Sequence, residues 1–283
     1  MKQVQRYLPK RPLNACMFSA TFPEYIMRTA REFIRHPEFI TLSQDHVHVT
    51  DTEHLFYTVP GMDKDRSLVR LIEIENPVSA IIFCNTKAKV HYVSVVLQRF
   101  GYDADELSAD LSQKERERVL GRVREGTLRF LVATDVAARG LDIPDLSHVI
   151  QYEPPEDPEA YIHRAGRTGR AGATGIAISL VSAVEKFELD RIAKRFSIAM
   201  QERPLPSDAD VEAVVTERVT ILLEARLRER DKLLTERSQR FVPLARALAN
   251  NEDESAIIAM LLDDYYQQTL HTPLPQPREE KPP

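Results

Sequence analysis

The densest chemistry in the chain is His163-Arg164-Ala165-Gly166-Arg167-Thr168-Gly169-Arg170, followed by Ala171 and Gly172. Three guanidiniums and an imidazole crowded among glycines make a costly surface, because like charges repel and glycine weakens the element that carries them. A polyanion removes that cost, and a phosphate chain is the obvious one. Upstream, Asp157-Pro158-Glu159 reads as a helix start, with Asp at the N-cap and Pro at the first helical position. A helix from there to about Gly169 puts His163, Arg167 and Arg170, spaced by four and three, on one face, with Arg164 on a neighbouring side. A solvated basic loop is the plain alternative, and it suits a lone arginine better than the whole string.

These residues need elements to hold them. From residue 53 onward, strand-like runs at 54–59, 80–84, 103–107, 130–133, 148–151 and 175–181 alternate with helical segments at 63–75, 87–100, 112–124, 157–169 and 183–196. Alternation of this kind, with continuous apolar strands such as Ala80-Ile81-Ile82-Phe83-Cys84, predicts an α/β fold with a mostly parallel sheet covered on both faces. Ligands of such sheets sit at the C-terminal ends of the strands.

Further candidates fall at those ends. Asn85-Thr86-Lys87 follows the second strand, and Thr134-Asp135 follows the fourth and leads through Ala137-Ala138-Arg139-Gly140-Leu141-Asp142. Ser112 and Glu115 form a capping box, which sets Gln113 and Arg116 three apart on one helix face. Hydroxyls, helix-start N–H groups and guanidiniums suit phosphate oxygens, and a carboxylate such as Asp142 suits a ribose hydroxyl. Singly, each has a plainer reading: Thr134 and Asp135 as a helix cap, Gln113 and Arg116 as a solvated face.

Composition narrows the classes. At 283 residues and 43% hydrophobic, the chain can build one large or two modest domains. No run of 18 apolar residues occurs and the basic N-terminus has no apolar segment, so neither a membrane span nor a signal peptide is predicted. Cys16 and Cys84 lack a CxxC partner and read as buried thiols, which fits a cytoplasmic protein without a metal site. His46 and His48, two apart with no third ligand, read as solvated.

The net charge of −5 is unevenly spread. Residues 207–270 hold thirteen acids against eight bases, whereas acids and bases balance over residues 1–206. Bulk attraction to nucleic acid is therefore excluded, and any such contact is a local groove.

The ends differ in character. Residues 1–42 carry strand-like runs at 14–18 and 39–42 around a helical pattern at 23–35, with Ile26, Met27, Ala30, Phe33 and Ile34 inward. Two strands and a helix cannot bury their apolar faces alone, so this reads as the last part of another α/β lobe. Residues 43–52 read as a linker and 53–203 as the main domain. Beyond Pro204-Leu205-Pro206, Ser207 and Asp210 open a helix bearing Val211, Val215, Val219 and Leu222. A second helix is marked by Phe241, Leu244, Ala245 and Leu248, and a third by Ile257, Ile258, Leu261, Leu262 and Tyr265. Three helices in this span make a thin core that wants a partner, either another copy or the preceding domain. Its acidity argues against RNA binding. Residues 271–283 are proline-rich and read as disordered.

Ser19-Ala20-Thr21, Ile82-Phe83 with Thr86-Lys87, Gln113 with Arg116, the 133–142 string and the 163–170 string together resemble, in order and spacing, the motifs in the second half of a DEAD-box ATP-dependent RNA helicase. The resemblance covers about residues 13–200. It implies a pair of RecA-like lobes that clamp ATP and single-stranded RNA between them, with ATP and Mg held mainly by the first lobe. Arg167 and Arg170 then resemble arginine fingers toward the γ-phosphate, His163 a residue coupling the cleft to Ser19 and Thr21, and Asp142 the ribose contact. Thr86, Gln113, Arg116, Thr134 and Gly140 would line the RNA groove, gripping backbone rather than bases, and Arg164 would support interlobe contacts. In some bacterial members a helical region after the second lobe dimerises the enzyme, and residues 207–270 resemble it.

Two departures qualify the match. The chain has no G-x-x-x-x-G-K-[ST] loop and no Asp-Glu-Ala-Asp string, so by itself it is expected neither to hydrolyse ATP nor to unwind RNA. Leu107-Ser108-Ala109-Asp110 has Ala where the family usually carries glycine. The alternative reading is a non-catalytic module that binds RNA weakly and dimerises.

Overall fold

The computed structural model describes residues 15–18, 24–34, 36–40, 52–139, 146–169 and 174–270. Ser19, Thr21, His46, His48, the linker up to residue 51, Gly140, Asp142, Arg170 and the tail 271–283 lie outside the described residues.

The chain divides into two units, Met1–Val47 and His48–Pro283. In the first, α1 (Glu24–Phe33) follows the expected apolar spacing, with Ala30 buried and Ile26, Met27, Phe33 and Ile34 half-buried. The strands read on either side of it are not seen among the described residues: 15–18 and 39–40 carry no strand.

The second unit is built on seven strands: β1 (Thr52–Thr58), β2 (Ala80–Phe83), β3 (Ala104–Leu107), β4 (Phe130–Ala133), β5 (His148–Gln151), β6 (Gly175–Val181) and β7 (Met200–Glu202). They lie in the order β3-β4-β2-β5-β6-β1-β7, and every pairing is parallel. Parallel strands need crossovers, and these are α2 (Lys64–Glu75), α3 (Lys87–Arg99), α4 (Gln113–Arg124), the single-turn α5 (Asp135–Ala138), α6 (Pro158–Ala165) and α7 (Glu185–Phe196). The period-two alternation of the strands divides the core in two. Leu55, Ile82, Val132, Ile150 and Ile178 pack with α2 and α3, while Ile81, Phe83, Leu131 and Val149 face α4 and α5, and Phe56, Ala177 and Val181 face α6 and α7. With both faces covered, the central strands read as continuous apolar runs, as expected of an α/β fold.

Residues 204–270 form four helices, not the three expected: α8 (Asp208–Arg228), α9 (Lys232–Gln239), α10 (Val242–Ala249) and α11 (Glu252–Leu270). The Ser207/Asp210 capping box is present, with the Ser207 N–H donating to Asp210 Oδ2 at 2.8 Å and the Asp210 N–H to Ser207 Oγ at 3.2 Å. The extension folds back on its own lobe. Helix α8 packs on α2, and Arg218 donates to the carbonyls of Glu73 and Ile74 at the C-terminal end of α2, where a cation also meets the negative end of the helix dipole. Tyr266 of α11 donates to Glu73 Oε2 at 2.5 Å, and Tyr102 donates to the other oxygen of the same carboxylate. Gly101, at φ +82°, lets Gln267 in: a Cβ there would sit 2.1 Å from Gln267 Oε1. Among the described side chains of the extension, only Val219 and Tyr266 of the apolar ones are buried, worth a few kcal/mol by area, so the polar latch carries much of the docking.

Candidate nucleotide and RNA interface at the sheet edge

Because all strands run the same way, the loops after β2, β4 and β5 emerge on one edge, and Arg164 ties them together. Its Nε and Nη2 donate to the two carboxylate oxygens of Asp135, after β4, at 2.6 and 2.7 Å. Nη2 also donates to Asn85 Oδ1, after β2, at 2.8 Å, and Nη1 to the Glu153 carbonyl, after β5, at 2.8 Å. Its guanidinium lies 5.2 Å from the centre of the Phe83 ring. The side chain is 1% exposed, and a guanidinium so buried is tolerable only because its donors are met by a forked carboxylate and by oxygens fixed on strand ends. Arg164, read from the resemblance as an interlobe residue, is thus turned into its own lobe.

The capping geometry locates the neighbouring candidates. Thr86 is the N-cap of α3: its Oγ accepts the Lys89 N–H at 3.2 Å and the residue is exposed. Thr134 caps α5, accepting the Ala137 N–H at 3.3 Å, and is buried, so its plainer reading as a cap describes it. Gln113 is exposed at the first turn of α4 and donates to Glu117 at 2.7 Å. Arg116 is half-buried and donates to the Ala137 carbonyl at 2.9 Å, tying α4 to α5. The loop that has Ala109 in place of glycine is held by a Lys87–Asp110 ion pair and by burial of Ser108.

The arginine-rich string is not one helix face. Helix α6 starts as expected, with the Glu159 N–H on Asp157 Oδ1 at 3.1 Å and Pro158 at the first position, but ends at Ala165, with Gly166 at the C-cap. Arg167 lies in the turn beyond it, its carbonyl accepting the Leu146 N–H at 3.2 Å. Thr168 is fully buried, donating to the carbonyls of Leu146, at 2.5 Å, and Ser147. Gly169 takes φ +71°, open to glycine at no steric cost. Glycine therefore breaks the helix that spacing alone extends, and the turn re-aims Arg167.

His163 reports the local field. Burial, then the positive charges of Arg139 and Arg167, hold its pKa below the ordinary histidine value against the opposing pull of Glu159 and Asp157. The structure thus brings His163, Arg167 and Arg139 within electrostatic reach of one another. Asn85 and Asp135 were named from sequence at the strand ends and Arg139 in the 133–142 string, without the partners found here; Glu153 was missed, its only signal being its position after a strand. A neutral imidazole among guanidiniums at a parallel-sheet edge fits an anionic, phosphate-bearing ligand.

Residues 63–172 match the helicase conserved C-terminal domain. Among relatives, the chain is 39% identical over 270 residues to the RNA helicase CrhR of Synechocystis, covering 95% of this chain and 54% of the relative. It is 36% identical over 270 residues to the DEAD-box ATP-dependent RNA helicase CshA of Geobacillus kaustophilus, covering 94% and 56%. Among solved structures it resembles S. cerevisiae Dbp5 bound to RNA and ADP BeF3, with TM-score 0.67 and 34% identity over 76% of this chain and 57% of that one. The C-terminal domain of the DEAD-box protein Dbp5 is matched over 99% of its length and 60% of this chain, at 36% identity and TM-score 0.54. The chain spans about half the length of the curated relatives it matches. With the motif order, the parallel sheet and these matches in agreement, the chain belongs to the DEAD-box family and carries its C-terminal helicase domain.

Proposed function

We propose that this chain is the C-terminal half of an ATP-dependent RNA helicase, which closes against a first RecA-like lobe to clamp RNA and to complete the pocket for ATP and Mg. The observation that carries this reading is the gathering of the Arg139 and Arg167 charges around His163 on the edge organised by Arg164. Arg167 and Arg170 act as the fingers that stabilise charge on the γ-phosphate, and Asp142 holds the ribose. Bound ATP supplies the phosphoryl group whose transfer to water powers the cycle. Placing fingers and phosphate loop on different lobes makes turnover depend on closure, and an arginine finger is worth roughly 10³ to 10⁵ in rate. His163, its pKa held down by burial and then by the charges of Arg139 and Arg167, is free to accept or donate a hydrogen bond without adding a repelling charge.

RNA runs past Thr86, Gln113, Arg116, Thr134 and Gly140, held by its backbone. Arg164 acts indirectly, by fixing the strand-end loops. The exposed apolar side chains of the extension, among them Leu244 on α10 and Ile257, Met260 and Leu261 on α11, support a homodimer through residues 207–270. Alone, the chain turns over no ATP. The test is to mix it with a separately produced first lobe from a relative. RNA-stimulated ATP hydrolysis absent from either piece supports the reading; a mixture as inactive as the pieces, with RNA still bound by the chain, favours the non-catalytic module.

A further inference from the structure

The extension is acidic overall, yet its bases are gathered. Six of its eight Lys and Arg lie within residues 226–240, against three carboxylates there. Arg226, Glu229, Arg230, Leu234 and Arg237 line an open hollow of about 330 Å³ where the end of α8 meets α9. Two other arginines of the extension are engaged: Arg228 with Glu224 at 2.9 Å, and Arg218 with the end of α2. Among the described residues, no hydrogen bond or ion pair engages the guanidiniums of Arg230 and Arg237, and Arg226 only stacks over the Tyr265 ring at 5.1 Å. Three guanidiniums therefore line the hollow with one carboxylate, that of Glu229. Helix C-termini favour cations, which accounts for arginines in the last turns of α8 and α9 separately but not for the two ends meeting.

The hollow calls for an anion with repeated charges. Arg226 lies in the last turn of α8 and Arg230 just past its C-cap Glu229, so the two guanidiniums follow one another along the chain toward Arg237 of α9. Beyond Arg237, the Arg240 guanidinium lies 4.9 Å from the centre of the Phe241 ring, which is 54% exposed. A positive track beside an exposed aromatic ring is the pattern of single-stranded nucleic-acid binding, since the ring offers a base a stacking partner that an acidic peptide would not use. We infer that this hollow holds the phosphodiester backbone of single-stranded RNA, as a second contact on the extension apart from the groove at the sheet edge. The inference rests on the RNA-helicase reading, and it replaces the expectation that acidity keeps the extension from RNA.

The test is binding of a short labelled oligouridylate to the full chain over a salt series. At roughly 0.7 per phosphate contact on single strands, changing Arg226, Arg230 and Arg237 together to Ser should lower the salt slope by about 2. Affinity at low salt should fall at least about tenfold, by that same count of lost contacts. The Arg→Lys triple variant should keep the slope. Arg116→Ala, at the sheet edge, serves as the comparison. If it weakens binding while the triple Ser variant leaves slope and affinity unchanged, the hollow does not bind RNA and the helicase reading stands. If the unaltered chain binds no oligouridylate, both fall. Loss of a labelled polyglutamate peptide by the Ser variant, with RNA binding retained, would assign the hollow to an acidic protein partner and overturn the proposal.

Discussion

Replacing Arg164 with Ala should destabilise the isolated chain, with no RNA or nucleotide present. The guanidinium makes two bonds to Asp135, one to Asn85 and one to the Glu153 carbonyl, all from a side chain 1% exposed. Breaking a buried ion pair costs about 3–5 kcal/mol because the abandoned charge stays desolvated. The Asp135 side chain is 34% exposed, so water recovers part of its solvation and the lower end, about 3 kcal/mol, applies. With a urea m-value of about 2 kcal/mol/M, the unfolding midpoint should fall by about 1.5 M. Arg164→Lys keeps the charge but loses the fork, and should recover about half of that. Urea titration followed by far-ultraviolet circular dichroism reads this directly. A midpoint shift for Arg164→Ala below about 0.3 M, the scale of an exposed side chain, would refute the view that Arg164 organises its own lobe.

Other outcomes follow from the same contacts. Gly175→Ala should cost about 1–3 kcal/mol by overpacking, since the new Cβ would lie 2.4 Å from both Thr168 Oγ1 and the Gly169 nitrogen, and chemical denaturation measures it. Tyr266→Phe removes one of the donors on Glu73 and should loosen α11 by about 1–2 kcal/mol, seen as faster hydrogen exchange in α11 with the sheet unchanged. His148 is pushed down to about 4 by burial, so the unfolded chain takes up its proton first. Its contribution is therefore complete above the unfolded value near 6.5 and is lost as pH falls toward about 4, and His148→Gln should flatten the stability profile in that window.

Much of this architecture was legible in the sequence because the signals were local. The apolar run Ala80–Phe83 became a central strand, and Ser112, Asp157 and Ser207 cap the helices their spacing announced. What was not legible depends on distant partners. Strand β7 is three residues long and exists by pairing with β1, while Leu233 and Leu234 alone gave no period to mark α9. The C-terminal end of α6 was misread because arginine spacing was weighed above Gly166 and Gly169. Arg164 was set on a neighbouring side of the helix and given interlobe support from the resemblance; its burial needs Asp135, Asn85 and Glu153, which only the parallel topology assembles.

The central claim is that the 163–170 string presents Arg167 to a nucleotide held by another lobe. The most direct measurement is RNA-stimulated ATP hydrolysis by this chain combined with a first lobe, comparing the unaltered chain with Arg167→Ala and Arg167→Lys. A fall of at least about 10³ in turnover for both variants, at unchanged urea midpoint, is predicted. Turnover within a few-fold of the unaltered chain would contradict it.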